Sequence, residues 1–316
     1  MPLDPGIAAI LQQMSASGAP AVSSSDVQTA RAALRSMSLG ASGTPSGEPA
    51  VGGVRSETIA GSIPVRVYSP DSALAVPTIV FFHGGGFVIG DLDTHDSIAR
   101  RLCNDVGAVV VSVDYRLAPE HPFPAGVEDA VAAVRWVASH IADFGGDPAR
   151  LAVAGDSAGA NLAAVAAQSA AVAGIHLAAQ LLAYPTTDPG GDYPSTAENA
   201  DGYFLTRADM AWFFTHYIGF DLQDPRVRDL EIDPRVAPMR AASLAGLAPA
   251  IVATAEFDPL RDDGNAYAAA LAAAGVRVEH RQFPGMIHGF WDMGAASEGA
   301  EQAARWINGT LKTLLS

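Results

Sequence analysis

The sequence predicts an α/β protein, in which helices cover both faces of a mostly parallel sheet. Short apolar segments alternate along the chain with longer segments of helix-forming residues, which is typical of repeated strand–helix–strand units. Several of the apolar segments are continuous, which indicates strands buried on both faces. Strands are predicted at residues 54–59, 64–68, 78–82, 108–113, 151–154, 178–183, 250–255 and 276–283. Helices are predicted among them at residues 96–105, 127–141, 158–173, 263–274 and 296–315.

Two further segments are predicted to form a helical cap over the sheet. Asp4 and Pro5 can start a first helix near the N-terminus, and a second is expected to end at Met37, before a linker rich in Gly, Ser and Pro. No strand is evident between residues 184 and 250, where aromatic residues are concentrated instead. We interpret this interval as helices over the edge at which open α/β sheets bind ligands. The predicted division is 1–50 for the N-terminal cap segment and linker, 51–184 and 236–316 for the core, and 185–235 for the cap insertion.

The composition favours a globular protein with a large core and disfavours polyanionic partners. Apolar residues make up 49% and charged residues 17% of the 316 residues. The formal net charge of -15 makes a basic surface for nucleic acid or anionic membranes unfavourable. No apolar run reaches the roughly 18 residues of a membrane span. Cys103 is the only cysteine and cannot form an internal disulfide, so a cytoplasmic protein is expected.

A serine between glycines is the strongest candidate nucleophile. Gly155-Asp156-Ser157-Ala158-Gly159 follows a predicted strand and precedes a predicted helix, which is the context of the G-x-S-x-G turn. This turn exposes the serine hydroxyl, and its glycines let strand and helix approach closely. The amide of Ala158, at the start of the helix, would lie beside the hydroxyl.

A glycine-rich loop upstream of this turn predicts a site for an oxyanion. His83 is followed by three glycines at the end of a predicted strand, and glycines there expose backbone amides that side chains would shield. A phosphate-binding loop is the alternative. Its pattern G-x-x-x-x-G-K-[ST] is absent, however, and the one lysine, Lys312, lies at the far end of the chain.

A serine nucleophile needs a base within hydrogen-bond reach and an acid that orients the base. Of the eight histidines, His288 is the predicted base, because it lies in a loop after the last predicted strand, at the sheet edge toward which the serine turn points. Asp258 immediately follows another predicted strand and is the predicted acid. Asp262 and Asp263 are interpreted as favourable charges in the first turn of the next helix. Glu256 is interpreted either as a carboxylate that supports these residues or as a solvated loop carboxylate.

Five motifs together resemble the bacterial carboxylesterases of the hormone-sensitive-lipase-like family of α/β-hydrolases. They are HGGGF at 83–87, DYRLAPEHPFPA at 114–125, GDSAG at 155–159, DPLRD at 258–262 and HGF at 288–290. The resemblance implies an α/β-hydrolase fold, with Ser157 as nucleophile, Asp258 as orienting acid and His288 as base. It also implies an oxyanion hole formed by the amides of Gly84, Gly85 and Ala158. Ala160 stands where the family usually has glycine, but it touches none of these roles.

The expected activity is that of a serine carboxylesterase acting on small esters with short to medium acyl chains through an acyl-enzyme. No cluster has metal-ligand spacing such as H-E-x-x-H, so neither a metal nor a cofactor is expected. A homodimer is one expectation for the assembly. A non-catalytic ligand-binding relative is disfavoured by the intact triad, and an amidase or acyltransferase with the same triad stays open.

The cap is expected to enclose an apolar substrate pocket that accommodates a few methylene groups, each worth roughly 0.8 kcal/mol when buried. The segment 114–125 is interpreted as a scaffold that braces the glycine loop, in preference to one that contacts substrate. The predicted pocket residues are Phe87, Tyr184, Phe204, Leu205, Phe213 and Ile287.

Overall fold

Eight strands form one sheet at the centre of the computed structural model, which describes residues 2–18, 20–72 and 74–316. The strands are β1 (Gly53–Ile59), β2 (Ile63–Ser69), β3 (Val76–Phe82), β4 (Val109–Val113), β5 (Gly146–Asp156), β6 (Ala179–Ala183), β7 (Ala250–Phe257) and β8 (Val278–Ile287). Their order across the sheet is β1-β2-β4-β3-β5-β6-β7-β8.

Only the first two strands interrupt the parallel arrangement. β1 and β2 form an antiparallel hairpin, and β2 is also antiparallel to β4. From β4 to β8 all neighbouring strands are parallel, so their carboxyl ends meet at one edge of the sheet. β4 and β6 are buried along their whole length, as strands covered on both faces must be.

Helices pack on both faces of this sheet, which confirms the predicted α/β fold. They are α1 (Pro5–Ser17), α2 (Val27–Leu39), α3 (Asp96–Leu102), α4 (Ala125–His140), α5 (Ala158–Val172), α6 (Pro194–Glu198), α7 (Arg207–Ile218), α8 (Arg226–Glu231), α9 (Arg261–Ala273) and α10 (Glu298–Leu314). Val134, Leu162 and Leu271 of α4, α5 and α9 share one apolar core, while Leu102 and Ile307 of α3 and α10 share another. Within the described ranges, no helix is long and apolar enough to cross a bilayer.

The first helix packs against the core as an integral part of it. The amide of Asp4 donates to the carbonyl of Gly285 in β8 at 3.1 Å, and the carboxylate of Asp4 accepts from the hydroxyl of Ser297 at 2.7 Å. Ile7 has no exposed surface and belongs to the same apolar cluster as Ile287. Deleting α1 would therefore uncover the core beside β8.

The second helix and the long insertion meet above the carboxyl edge of the sheet. Residues 184–249, between β6 and β7, contain α6, α7 and α8 and, as predicted, no strand. A small apolar cluster joins Ala30 of α2, Val88 and Ile89 of the loop after β3, and Trp212 and Phe213 of α7. The two segments predicted to form a cap thus contact one another and the glycine-rich loop.

Candidate active site

Ser157 occupies a sharp turn between β5 and α5. Its φ of 53° and ψ of -119° are strained for a residue with a side chain, and such angles persist only where the surroundings enforce them. A Cβ on Gly155 would overlap the carbonyl of Gly159, and a Cβ on Gly159 would overlap the carbonyl of Phe82. Both glycines are therefore required for β5, β3 and α5 to approach this closely. The Ser157 amide is fixed by the carbonyl of Ala183 at 2.8 Å.

The three residues of the predicted triad come together at the carboxyl edge of the sheet. Asp258 follows β7 and is fully buried, and its carboxylate lies 2.8 Å from Nδ1 of His288, which follows β8. Because a carboxylate only accepts, Nδ1 carries the proton, and Nε2 is left to accept from the Ser157 hydroxyl at 2.9 Å. The other oxygen of Asp258 accepts from the amide of Leu260 at 2.8 Å, which fixes the carboxylate.

The rival carboxylates have other partners. Asp262 pairs with Arg261 at 2.8 Å in the first turn of α9. Asp263 is buried and accepts from the amide of Thr187 at 2.8 Å, and burial raises the pKa of its carboxyl to about 6. Glu256 accepts from the amide of Gly285 at 2.8 Å, in the strand that leads to the triad histidine, so it is a bound and not merely a solvated carboxylate.

The prediction that Gly84 donates to the oxyanion is wrong. Its amide already donates to the carboxylate of Asp156 at 2.8 Å, in a buried contact that leaves it no proton for a substrate. The amides of Gly85, Gly86 and Ala158 have no acceptor in the part of the chain that the structure describes. The third glycine therefore replaces the first as a candidate donor. The motif alone could not reveal this shift, because all three glycines look equivalent in sequence.

Buried side chains hold the glycine loop from beneath. Nδ1 of His83 lies 2.7 Å from the carbonyl of Gly84, so Nδ1 carries the proton and donates it. That carbonyl belongs to the same peptide unit as the Gly85 amide, so this hydrogen bond fixes the direction of a candidate oxyanion donor. Burial lowers the pKa of His83 to about 4, and the ring is neutral at pH 7. The carbonyl of His83 accepts from the hydroxyl of Tyr115 at 2.8 Å.

The segment 114–125 contacts this loop as a brace. Beside the Tyr115 hydrogen bond, the amide of Ala118 donates to the carbonyl of Phe87 at 2.9 Å. Arg31 of α2 donates to the carbonyls of Val88 at 2.9 Å and of Ala118 at 3.1 Å, and its guanidinium also pairs with Glu120. Sequence reasoning missed Arg31, since nothing in the pattern of α2 indicates a contact 57 residues away.

Three of the predicted pocket residues adjoin the candidate triad or the glycine loop. The ring of Tyr184 lies 4.7 Å from that of His288. A Cβ on Gly86 would overlap the ring of Phe213, so this ring covers the glycine loop directly. Phe204 lies close to Gly289, the residue after the triad histidine.

The other three predicted pocket residues are buried side chains. Phe87 stacks on Tyr217 with ring centroids 3.8 Å apart, and Leu205 is buried. Ile287 has no exposed surface and packs in the core beside Ile7, so its prediction as a pocket residue is wrong. It immediately precedes His288 in the chain, but its side chain is directed into the core.

Known proteins resemble this chain over most of its length. A sequence family described as alpha/beta hydrolase fold matches residues 79–292. Carboxylesterase NlhH of Mycobacterium tuberculosis is 49% identical over 244 residues, which are 76% of this chain and 75% of that protein. Carboxylic ester hydrolase LipN of the same organism is 45% identical over 263 residues, which are 81% of this chain and 68% of that protein.

A solved structure extends the likeness to the whole chain. The hyperthermophilic esterase of the archaeon Pyrobaculum calidifontis superimposes with a TM-score of 0.90 at 41% identity and covers 100% of both chains. The sheet order, the serine turn and these relatives agree with the resemblance read from the five motifs. The chain therefore belongs to the α/β-hydrolase fold family and, within it, to the hormone-sensitive-lipase-like carboxylesterases.

Proposed function

We propose that this protein is a serine carboxylesterase in which Ser157, His288 and Asp258 form the catalytic triad. The observation that carries the proposal is the continuous pair of hydrogen bonds from the Ser157 hydroxyl through His288 to Asp258, at 2.9 and 2.8 Å. A serine hydroxyl is a weak nucleophile until a base removes its proton, and this arrangement supplies the base in the required orientation.

The reaction follows from the positions of these groups. The Ser157 oxygen attacks the ester carbonyl carbon while Nε2 of His288 takes the hydroxyl proton, and Asp258 stabilises the imidazolium that forms. The amides of Gly85, Gly86 and Ala158 stabilise the negative charge on the carbonyl oxygen. His288 then returns the proton to the departing alcohol. A water molecule attacks the acyl-enzyme in the same way and releases the acid.

We propose esters with short to medium acyl chains as substrates. Support comes from the cap, because Phe213 of α7 lies on Gly86 and joins the apolar cluster that also contains Trp212. A pocket bounded by such rings gains roughly 0.8 kcal/mol for each buried methylene until its length is filled.

The test is a panel of p-nitrophenyl esters from acetate to palmitate, assayed with the full chain and with Ser157→Ala. The proposal expects the highest kcat/KM between acetate and octanoate and no turnover by Ser157→Ala. A highest value at palmitate, with a rate increase when the substrate forms an interface, would contradict the proposed chain length but not the triad.

We further propose a homodimer formed through β8. Within the described residues, the only strand paired with β8 is β7, so its other edge can pair with a strand of a second chain, apart from the Gly285 carbonyl that accepts from Asp4. Light scattering should give twice the chain mass of 32.5 kDa. A mass of one chain at micromolar concentration would exclude the dimer.

We also propose that the protein acts in the cytoplasm. The lone Cys103 is buried, and burial raises the pKa of its thiol to about 12, so it is an unreactive core residue compatible with a reducing compartment. Fractionation of cells that produce the protein should recover the activity in the cytosolic fraction.

A further inference from the structure

A buried pair of side chains, a carboxylate and an imidazole, lies beside the glycine loop and has no part in the triad. Oδ1 of Asp156 accepts from the amide of Gly84 at 2.8 Å, and Oδ2 lies 3.6 Å from Nε2 of His95. We propose that Asp156 and His95 are positioning residues for the oxyanion hole: the carboxylate fixes the loop, and the protonated imidazole neutralises its charge. This inference rests on the proposed esterase function.

Asp156 is placed to control the direction of an oxyanion donor. It directly precedes the nucleophile, and its carboxylate lies so close to Gly84 that a Cβ there would overlap it. Gly84 is thus held at its amide by Asp156 and at its carbonyl by His83, at 2.8 and 2.7 Å. The His83 bond fixes the peptide unit that carries the Gly85 amide, and the Asp156 bond fixes the preceding peptide unit, so together they hold both sides of Gly84. Preorganised amides are effective because they need no reorientation when the oxyanion forms.

An ionised carboxylate at this position creates an electrostatic problem. The side chain of Asp156 is only 9% exposed, so its charge is poorly screened by solvent. The substrate's carbonyl oxygen becomes negative at the neighbouring amides, and an uncompensated charge on Asp156 would repel it. A cation in contact with the carboxylate removes this repulsion while leaving the hydrogen bond to Gly84 intact.

His95 is the residue in position to be that cation. Its side chain is 10% exposed, and its Nδ1 lies 2.9 Å from the hydroxyl of Thr94, which leaves Nε2 directed at Asp156. Burial alone would lower the pKa of His95, but the nearby carboxylate of Asp156 reverses this and holds the pKa above its usual value. Burial alone would likewise raise the pKa of Asp156, and the interactions with His95 and Gly84 hold it below its usual value.

The other titratable groups around His95 also bear on its charge. Asp91, on the loop before α3, and Asp292, in the turn after β8, both favour the imidazolium. The ring of His83 lies 5.3 Å from that of His95, but this histidine is neutral because burial lowers its pKa to about 4. Asp91 also pairs with Arg35, so Asp156 and Asp292 are the carboxylates that chiefly favour a protonated His95.

The experiment is a double-mutant cycle of His95→Asn and Asp156→Asn, read as kcat and KM for p-nitrophenyl butyrate. Asparagine at 156 keeps an oxygen for the Gly84 amide but removes the charge. We expect His95→Asn alone to lower kcat about tenfold, or about 1.4 kcal/mol, with KM changed by less than about twofold. In the Asp156→Asn background the same substitution should lower kcat by less than about threefold, because no charge remains to be neutralised.

The pH dependence of kcat provides an independent test of the charge on His95. The ratio of wild-type kcat to that of the double variant removes pH effects that are common to both proteins, so it reports on the buried pair. The ratio should be highest at low pH and fall as the pH rises through the raised pKa of His95, since the imidazolium is lost there. A ratio independent of pH from 6 to 10 would overturn the proposal.

Control measurements distinguish a loss of loop positioning from unfolding of the variant and from failure of the proposed esterase function. His176→Asn, at an exposed position, should leave kcat unchanged. Thermal unfolding and titration of Ser157 with an organophosphate would count folded, competent sites in each variant. If His95→Asn lowers kcat per competent site by the same factor with aspartate as with asparagine at position 156, the inference is overturned, while the proposed esterase function stands. Turnover by Ser157→Ala would instead refute the esterase mechanism itself.

Discussion

The two halves of the site are held in place by different means. On the nucleophile side, Ser157 is fixed by the backbone of β5 and α5, and Asp258 and His288 follow directly from the ends of β7 and β8. On the oxyanion side, the glycine loop is held by side chains from distant segments, among them Tyr115 and Arg31. The first half depends on strand ends and glycines, while the second depends on hydrogen bonds that single substitutions can remove one at a time.

The largest effect is expected from Ser157→Ala, which removes the proposed nucleophile and leaves the glycine loop unchanged. Turnover of p-nitrophenyl butyrate should fall by about a thousandfold or more, as for triad members in general. Circular dichroism should show an unchanged fold. Retention of a tenth of wild-type turnover would mean that another group starts the reaction.

A large effect is also expected from Gly159→Ala, which tests whether the backbone fixes the nucleophile side. The added methyl would overlap the carbonyl of Phe82, so the free energy of unfolding should fall by about 1–3 kcal/mol, as for overpacking. Urea unfolding measures the change, and kcat should fall with it. Gly309→Ala in α10 is the matched control, because a Cβ there meets nothing within 4 Å and alanine favours a helix. Equal stability of the two variants would contradict the close-packed turn.

Tyr115→Phe removes one hydrogen bond from the oxyanion side. The carbonyl of His83 loses its 2.8 Å donor, and the loop that carries Gly85 and Gly86 becomes less well fixed. We expect kcat to fall about fivefold, or roughly 1 kcal/mol, with little change in KM. Tyr193→Phe is the control, since that hydroxyl donates to Asp188 at 3.1 Å outside the site. If both variants lose kcat equally, the Tyr115 bond is structural only.

Arg31→Met should have the smallest effect, because α2 holds the loop from its outer side. We expect kcat to fall about threefold, or roughly 0.7 kcal/mol, whereas Arg226→Met, which breaks an exposed pair with Asp224, should leave it unchanged.

The pH dependence of stability provides a second test of the contact between Arg31 and Glu120. The hydrogen bond from Arg31 lowers the pKa of Glu120 from 4.5 to about 2. A lowered folded-state pKa stabilises the protein above pH 4.5, and this stabilisation is lost as the pH falls toward 2. The gap in melting temperature between wild type and Arg31→Met should therefore narrow from pH 7 to pH 3. A gap that widens toward pH 3 would contradict the pairing.

The sequence was sufficient to predict the sheet and to choose three side chains that the structure brings together, but not to predict the contacts that support them. The apolar strands and the residues that end them are local patterns, so Ser157, Asp258 and His288 could be placed from their neighbours in the chain. Gly84 was assigned wrongly, because which amides remain free depends on Asp156, 72 residues away. Ile287 was assigned wrongly because the packing of α1 against β8 is a long-range contact that no local pattern reveals.

If Ser157 is the nucleophile of an ester hydrolase, an organophosphate should trap this residue covalently. The full chain would be incubated with diethyl p-nitrophenyl phosphate, with the remaining activity followed in parallel and the modified residue located by peptide mass spectrometry. We expect one diethylphosphoryl group per chain, on Ser157, with activity lost in proportion to labelling and no labelling of Ser157→Ala. Full inactivation with the adduct on another residue, or full activity with Ser157 completely labelled, would contradict it.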